Sequence, residues 1–276
     1  MDTVLLSDLE RFYIIQGAEL GCRTDGRAPN EYRPLELETG ILSHAGGSAS
    51  VRVGETYLMG CVKVEVGKTL LTRPNDGRIE INVECYPTAT YVSTDRSASE
   101  LSENLKMVLL SAYSADLLDL RKLCIQPGRQ CWIVYIDLLL LEGGGNFLDA
   151  ASIVIKAALL DFTNSLSSRH PTSQPSVDMK GSIFRFENER LPLFVTVHKV
   201  GNSHIVDASK EEEACSLSRL SVVVYPDGVL GPIAHEGCGS CRLETIMEMS
   251  ELAKTVGIEM NSSLTKTLSL ERQLRS

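Results

Sequence analysis

Two periodicities take turns along the chain. Leu5, Leu9, Phe12 and Tyr13 recur at helical spacing around Ser7, which predicts a short amphipathic helix capped by that serine and laid on the body or on a partner. The period then shortens. Residues 32–38, 49–53, 56–65 and 79–84 alternate apolar and polar side chains or run through β-branched ones, and glycines at 40, 46, 47, 54, 67 and 77 punctuate them as turns. This predicts an antiparallel meander.

Leu101, Leu105, Val108, Leu109, Ala112 and Leu117 restore the helical period over 99–118, with Ser99 placed as its cap. Two strands divided by Pro127-Gly128 follow, the second over 131–141. Glycines 143–145 then lead into a helix over 148–162 that is apolar on most sides and therefore central. Residues 165–181, rich in serine, proline and polar side chains, mark the domain boundary. Beyond them, strands at 193–199, 204–208, 220–225 and 229–234, with a turn at Pro226-Asp227-Gly228, precede a helix from about 243 to 264. Strands followed by a helix thus occur once in each half. The expected class is α+β: a lead-in over 1–22, a first unit over 23–164, a linker over 165–190 and a second, related unit over 191–276.

Composition narrows the function classes. With 276 residues and 43% hydrophobic content, the chain can bury a sizeable core without metal or disulfide help. Its eight cysteines sit mostly inside apolar stretches, where a thiol behaves as a small hydrophobe, and that usage suggests a reducing compartment. The sequence shows no basic-then-apolar leader. Its longest apolar run, over 132–141, carries Asp137 and is too short to span a bilayer, so a soluble protein is expected. A net charge of −9 argues against gripping nucleic acid along the whole surface, and any RNA contact must be local.

Candidate chemistry is sparse. Cys238-Gly239-Ser240-Cys241 lacks a second Cys or His pair at finger spacing, and His235 is the one nearby ligand, so a glycine-rich loop is the simpler reading and no metal is expected. Histidines 44, 170, 198 and 204 form no triad or ligand spacing. Glycines 143–145 lack the lysine and Ser/Thr of a phosphate loop. Glu211 to Glu213 read as a solvated strand-to-helix connection.

Taken together, several short segments carry a resemblance. Arg23-Thr24-Asp25-Gly26-Arg27, Glu31-Tyr32-Arg33-Pro34-Leu35, Gly46-Gly47-Ser48-Ala49 and Gly54-Glu55-Thr56 are each turn chemistry alone. In this order, with Glu142-Gly143-Gly144-Gly145 and Val206-Asp207-Ala208 behind them, residues of about 20–260 resemble the RNase PH family. Three further segments, Gln130 to Tyr135, Gly144 to Ala150 and Glu211 to Leu217, are similar to its non-catalytic ring subunits in the eukaryotic RNA exosome. The resemblance implies an RNase PH-like fold with a left-handed βαβ crossover, against the general preference. It also implies a hexameric ring of RNase PH-like relatives, OB-fold and KH cap proteins, and RNA threading a central channel. The role implied is support of 3′→5′ RNA processing and degradation, including rRNA maturation and mRNA decay, in nucleus, nucleolus and cytoplasm. No cofactor is implied.

Active relatives cleave RNA by phosphorolysis, which needs positive charge to hold phosphate beside an anionic backbone and carboxylates to serve the departing oxygen. The resemblance places Thr88, in Pro87-Thr88-Ala89-Thr90, at the position of a phosphate-path arginine, and Phe147, in Gly145-Asn146-Phe147, at that of a phosphate-binding arginine. It pairs Glu213 with Arg219 where two carboxylates stand in active members. No catalytic residue is therefore expected. An active phosphate-dependent 3′→5′ exoribonuclease and a separate scaffold that kept only the fold remain the alternatives. Lys68, Arg73 and Arg78 surround Pro74-Asn75-Asp76-Gly77, a hairpin that in ring relatives faces the pore. They could meet RNA phosphates there or be an ordinary soluble hairpin tip.

Overall fold

The computed structural model describes residues 5–86, 95–113, 120–168 and 191–275. Helix α1 (Asp8–Glu19) opens as its sequence predicts: the Ser7 side chain accepts from the Glu10 N–H while Glu10 reaches back to the Ser7 N–H, a complete capping box. The face it turns to the body is not the stripe that helical spacing picks out. Ile14 and Ala18 are buried against Val200, Ile205, Ala208 and Cys215, with Leu6 and Ile15 partly covered. Leu5, Leu9, Phe12 and Tyr13 face outward, Leu5 at 98% exposure. The helix carries two apolar stripes, and the one that includes Ile14 and Ala18 is the buried one.

Strands β1 (Leu35–Thr39), β2 (Gly47–Val53) and β3 (Thr56–Gly67) form the expected antiparallel meander. The fourth strand leaves it. β4 (Arg78–Cys85) lies parallel to β6 (Gln130–Glu142), which inserts beside β3, giving the order β1-β2-β3-β6-β4 with the short β5 (Cys124–Gln126) on β6. Alternation along β4 sets which side chains face the core but not which strand lies beside it, and the long apolar β6 suits an inner position. The β4-to-β6 connection runs through α2 (Asp95–Ala112) and a short 3-10 turn (Leu120–Leu123). Helix α2 begins ahead of Ser99, which lies inside it and not at its cap. Leu117 falls outside the described residues.

Helix α3 (Phe147–Ser168) is central as expected, packing on β2 and β3 on one side and on β7 (Leu193–Val200) on the other. Gly47 permits the close approach, since a Cβ there would stand 2.4 Å from the Ala158 carbonyl oxygen. The helix continues through 165–168, the start of the proposed linker; the rest of that segment, to 190, lies outside the described residues. The second sheet has the order β10-β9-β7-β8, from β8 (Ser203–Val206), β9 (Ser218–Val224) and β10 (Leu230–Gly237). α5 (Leu243–Arg275) covers β7 and β9 and runs past the expected end at 264. α3 carries one core from Val51 and Leu140 through to Phe194, Val223 and Leu264. A second cluster joins β7 and β9 to Met249 and Ala253 of α5.

Candidate functional site

The short motifs converge on Asp207. This residue is fully buried and held at φ 47, so β8 stops at Val206 and not at 208. Its carboxylate accepts from the Arg33 N–H at 2.8 Å, Arg33 Nε at 2.9 Å and Nη2 at 2.8 Å, Arg27 Nη1 at 3.1 Å and Asn146 Nδ2 at 2.7 Å. Burial pushes this carboxyl up, but the Arg33 guanidinium, the Arg33 N–H and the Asn146 amide together outweigh it and hold Asp207 below the usual carboxylate range. Arg33 also donates to the Gly144 and Gly145 carbonyls, and the Thr56 hydroxyl to Gly145. Beside it, Arg23 binds both oxygens of Glu212 and the carbonyls of Val206 and Asp207. The arginine turns are therefore internal ties between the two sheets.

Glu211 to Glu213 are not a solvated connection. They lie in a short helix, α4 (Lys210–Cys215), with a capping box between Ser209 and Glu212. The Ser-x-x-Glu spacing at 209–212 is a sequence signature of a helix start and would have revealed it. Glu212 is 2% exposed and satisfied by Arg23. Glu213 turns to the mouth of α3, where its Oε1 accepts the Asn146 N–H at 2.8 Å. Burial raises its carboxyl above the ordinary range, more than that amide lowers it.

A cleft of about 60 Å³ opens at this mouth. Leu101, Leu105 and Val108 of α2 form one wall, Phe147 and Leu148 the next, and Thr196, Ser221, Arg219 and Glu236 the sheet side. Arg219 and Glu236 are cross-strand neighbours on β9 and β10, and Arg219 Nε donates to Glu236 at 2.9 Å. Below them Asp149 accepts from Tyr32, Thr196 and Asn146, yet burial pushes its carboxyl up to about 6. His198, 1% exposed and 4.0 Å from Glu213, is pushed down to about 3 by burial and is neutral.

Phe147 and Arg219 thus meet in the cleft with Glu213, whereas Thr88 lies outside the described residues. Sequence reasoning missed Asn146, Glu236 and Asp149. The first is detectable as a non-glycine at φ 56, which asparagine tolerates, but only with backbone in hand. Lys68 and Arg73 are exposed on the β3–β4 connection, while Arg78 opens β4 and is paired with Glu80. All eight cysteines are free thiols. Among the described residues no group of three or more His, Cys, Asp or Glu is placed to hold a metal, and no helix is long and apolar enough to cross a membrane.

Residues 31–164 match domain 1 of the 3′ exoribonuclease family (RNase PH) and residues 190–256 match its domain 2. The chain is 33% identical over 237 residues to the exosome complex component Rrp42 of Methanopyrus kandleri, covering 83% of this chain and 85% of that one. It is 31% identical over 268 residues to Rrp42 of Thermococcus kodakarensis, covering 96% and 97%. The fold superposes on a chain of the Archaeoglobus fulgidus exosome with RNA bound to the active site, at TM-score 0.80 and 27% identity, over 93% of this chain and 98% of that one. A chain of an archaeal exosome core gives TM-score 0.75 at 25% identity, over 94% and 97%.

Proposed function

The chain belongs to the 3′ exoribonuclease family that includes RNase PH and Rrp42, and from that membership we propose that it is a non-catalytic subunit of an exosome-type ring. In this role it supports 3′→5′ processing and degradation of RNA by the whole assembly, with rRNA maturation and mRNA decay among its tasks, in nucleus, nucleolus and cytoplasm. Its partners are other RNase PH-like subunits of a hexameric ring, OB-fold and KH cap proteins, and RNA in the central channel.

One observation carries the non-catalytic reading. At the mouth of α3, where a helix N-terminus would offer its N–H to an anion, the Glu213 carboxylate already takes the Asn146 N–H. The charged lining is completed by Arg219, whose guanidinium is neutralised by Glu236. Two carboxylates and one paired guanidinium repel a phosphate that phosphorolysis must hold, and Phe147 adds no charge. Exposed Lys68 and Arg73 are left to meet RNA phosphates, with Arg78 drawn toward Glu80.

The test uses the full chain alone and co-expressed with an RNase PH-like partner, given phosphate, magnesium and single-stranded RNA with a free 3′ end. The expected outcome is a defined hetero-oligomer and no nucleoside diphosphate released by this subunit. Phosphorolysis by the chain alone that disappears on Glu213→Ala would overturn the reading. A stable monomer that ignores ring relatives would favour the separate scaffold.

A further inference from the structure

The segment joining β10 to α5, Cys238-Gly239-Ser240-Cys241, takes no part in the cleft, yet it is built closely around one neighbour. Gly237 pairs with Ser218 at the end of β10 and lies at φ 119, where a Cβ would stand 2.7 Å from the Ser218 Cα. Two residues on, the Gly239 N–H donates to the Leu217 carbonyl at 2.8 Å. Two further on, the Cys241 Sγ lies 2.9 Å from the Ser218 Oγ. Anchors at 237, 239 and 241 on the same two residues mean that the chain curls round Leu217 and Ser218 instead of running on. Cys238 and Cys241 stand three positions apart within this bend. Closing a disulfide between them requires Cα atoms about 4.4–6.8 Å apart. Both thiols are free, Cys238 exposed and Cys241 half-buried.

We propose that Cys238 and Cys241 form a reversible thiol–disulfide site that exchanges with small disulfides of the glutathione class. The exposed Cys238 thiolate attacks one sulfur of oxidised glutathione, making a mixed disulfide and expelling one glutathione thiolate, which takes a proton from water. Cys241 then loses its proton to solvent and attacks the Cys238 sulfur, closing the internal S–S bond and expelling the second glutathione. Two protein thiols are oxidised by two electrons, and one glutathione disulfide is reduced to two thiols. The position gives the reaction a consequence. Ser218 precedes Arg219 and Gly237 follows Glu236, so the new bond ties the segment that borders the cleft's ion pair and draws Cys241 off the Ser218 hydroxyl. Cys22, the other exposed cysteine, has no cysteine close in sequence and serves as an internal control.

The experiment equilibrates the full chain, alone and in complex with its co-expressed ring partner, in buffers of rising oxidised-to-reduced glutathione ratio. Samples are quenched in acid, alkylated and mapped by peptide mass. In the wild type, the 238–241 peptide should lose two hydrogens and escape alkylation in most chains, reversibly with dithiothreitol, while Cys22 stops at a glutathione adduct. Cys241→Ser should leave a glutathione adduct on Cys238, and Cys238→Ser should leave Cys241 open to alkylation. The proposal is overturned if the wild type stops at the Cys238 adduct, if both thiols stay reduced in the most oxidising buffer, or if the bond joins two chains. Stoichiometric zinc binding that protects the pair from oxidation would also overturn it, making the segment a metal site.

Discussion

Replacing Asp207 by alanine should be among the most damaging single changes this chain can suffer. The side chain is fully buried and accepts from Arg33, Arg27 and Asn146 at 2.7–3.1 Å. Alanine leaves the Arg33 guanidinium, itself 9% exposed, without its counter-charge. Removing one partner of a buried ion pair costs about 3–5 kcal/mol, against a total stability of about 5–15 kcal/mol. In urea, with a slope of roughly 2.5 kcal/mol per molar, the midpoint should fall by roughly 1–2 M. Fluorescence of Trp132, the one tryptophan, provides the signal. Asp207→Asn, which tolerates the left-handed backbone and keeps an acceptor oxygen, should lose about half as much, isolating the charge from the conformation. Because the folded carboxyl is held below its unfolded value, its contribution is complete above about pH 4 and is lost as pH falls through the folded value. The wild type should therefore weaken below about pH 4 by more than Asp207→Ala does. A midpoint shift under about 0.3 M at unchanged slope would refute the claim that this pair ties the sheets together.

Other changes test other parts of the molecule. Ser7→Ala removes the α1 capping box and should speed hydrogen exchange of the α1 amides by the equivalent of about 1 kcal/mol, leaving the core unaffected. Asp149, raised to about 6 by burial, should make the wild type lose up to about 2 kcal/mol as pH rises from about 4 to 6, and Asp149→Asn should flatten that segment of the stability curve. Lys156 is buried and donates to the Leu191 carbonyl and the Asn261 side-chain oxygen, and burial lowers its ammonium to about 8. Its unfolded form binds the proton more tightly, so stability should rise between about pH 8 and 10, and Lys156→Met should abolish the rise, as thermal melts across that range would show. Reversing the charges of Lys68 and Arg73 in a reconstituted ring should weaken binding of a long threaded RNA and flatten its salt dependence by about one unit per lost phosphate contact; unchanged affinity would make the connection an ordinary solvated hairpin.

Local sequence was enough to place most elements, because capping, turn chemistry and periodicity act within a few residues. Ser7 caps α1, Pro127-Gly128 divides β5 from β6, and the apolar run that becomes α3 is central wherever the chain puts it. Sequence also carried the family, through glycines and arginines whose order matched before any of their partners were known. Tertiary structure alone decided the rest. β4 is parallel to β6 because a strand's alternation specifies its faces and not its neighbour. Which stripe of α1 turns inward was decided by its docking on Val200, Ile205 and Ala208, residues about 190 positions away that helical spacing cannot report. The arginines of the first two motifs read as turn residues until Arg23 meets Glu212 and Arg33 meets Asp207, more than 170 positions away. Arg219 read as an inverted charge, but only the pairing of β9 with β10 sets it against Glu236. A buried charge acts through whatever opposite charge the fold brings within about 3 Å, and sequence spacing carries no information about that distance.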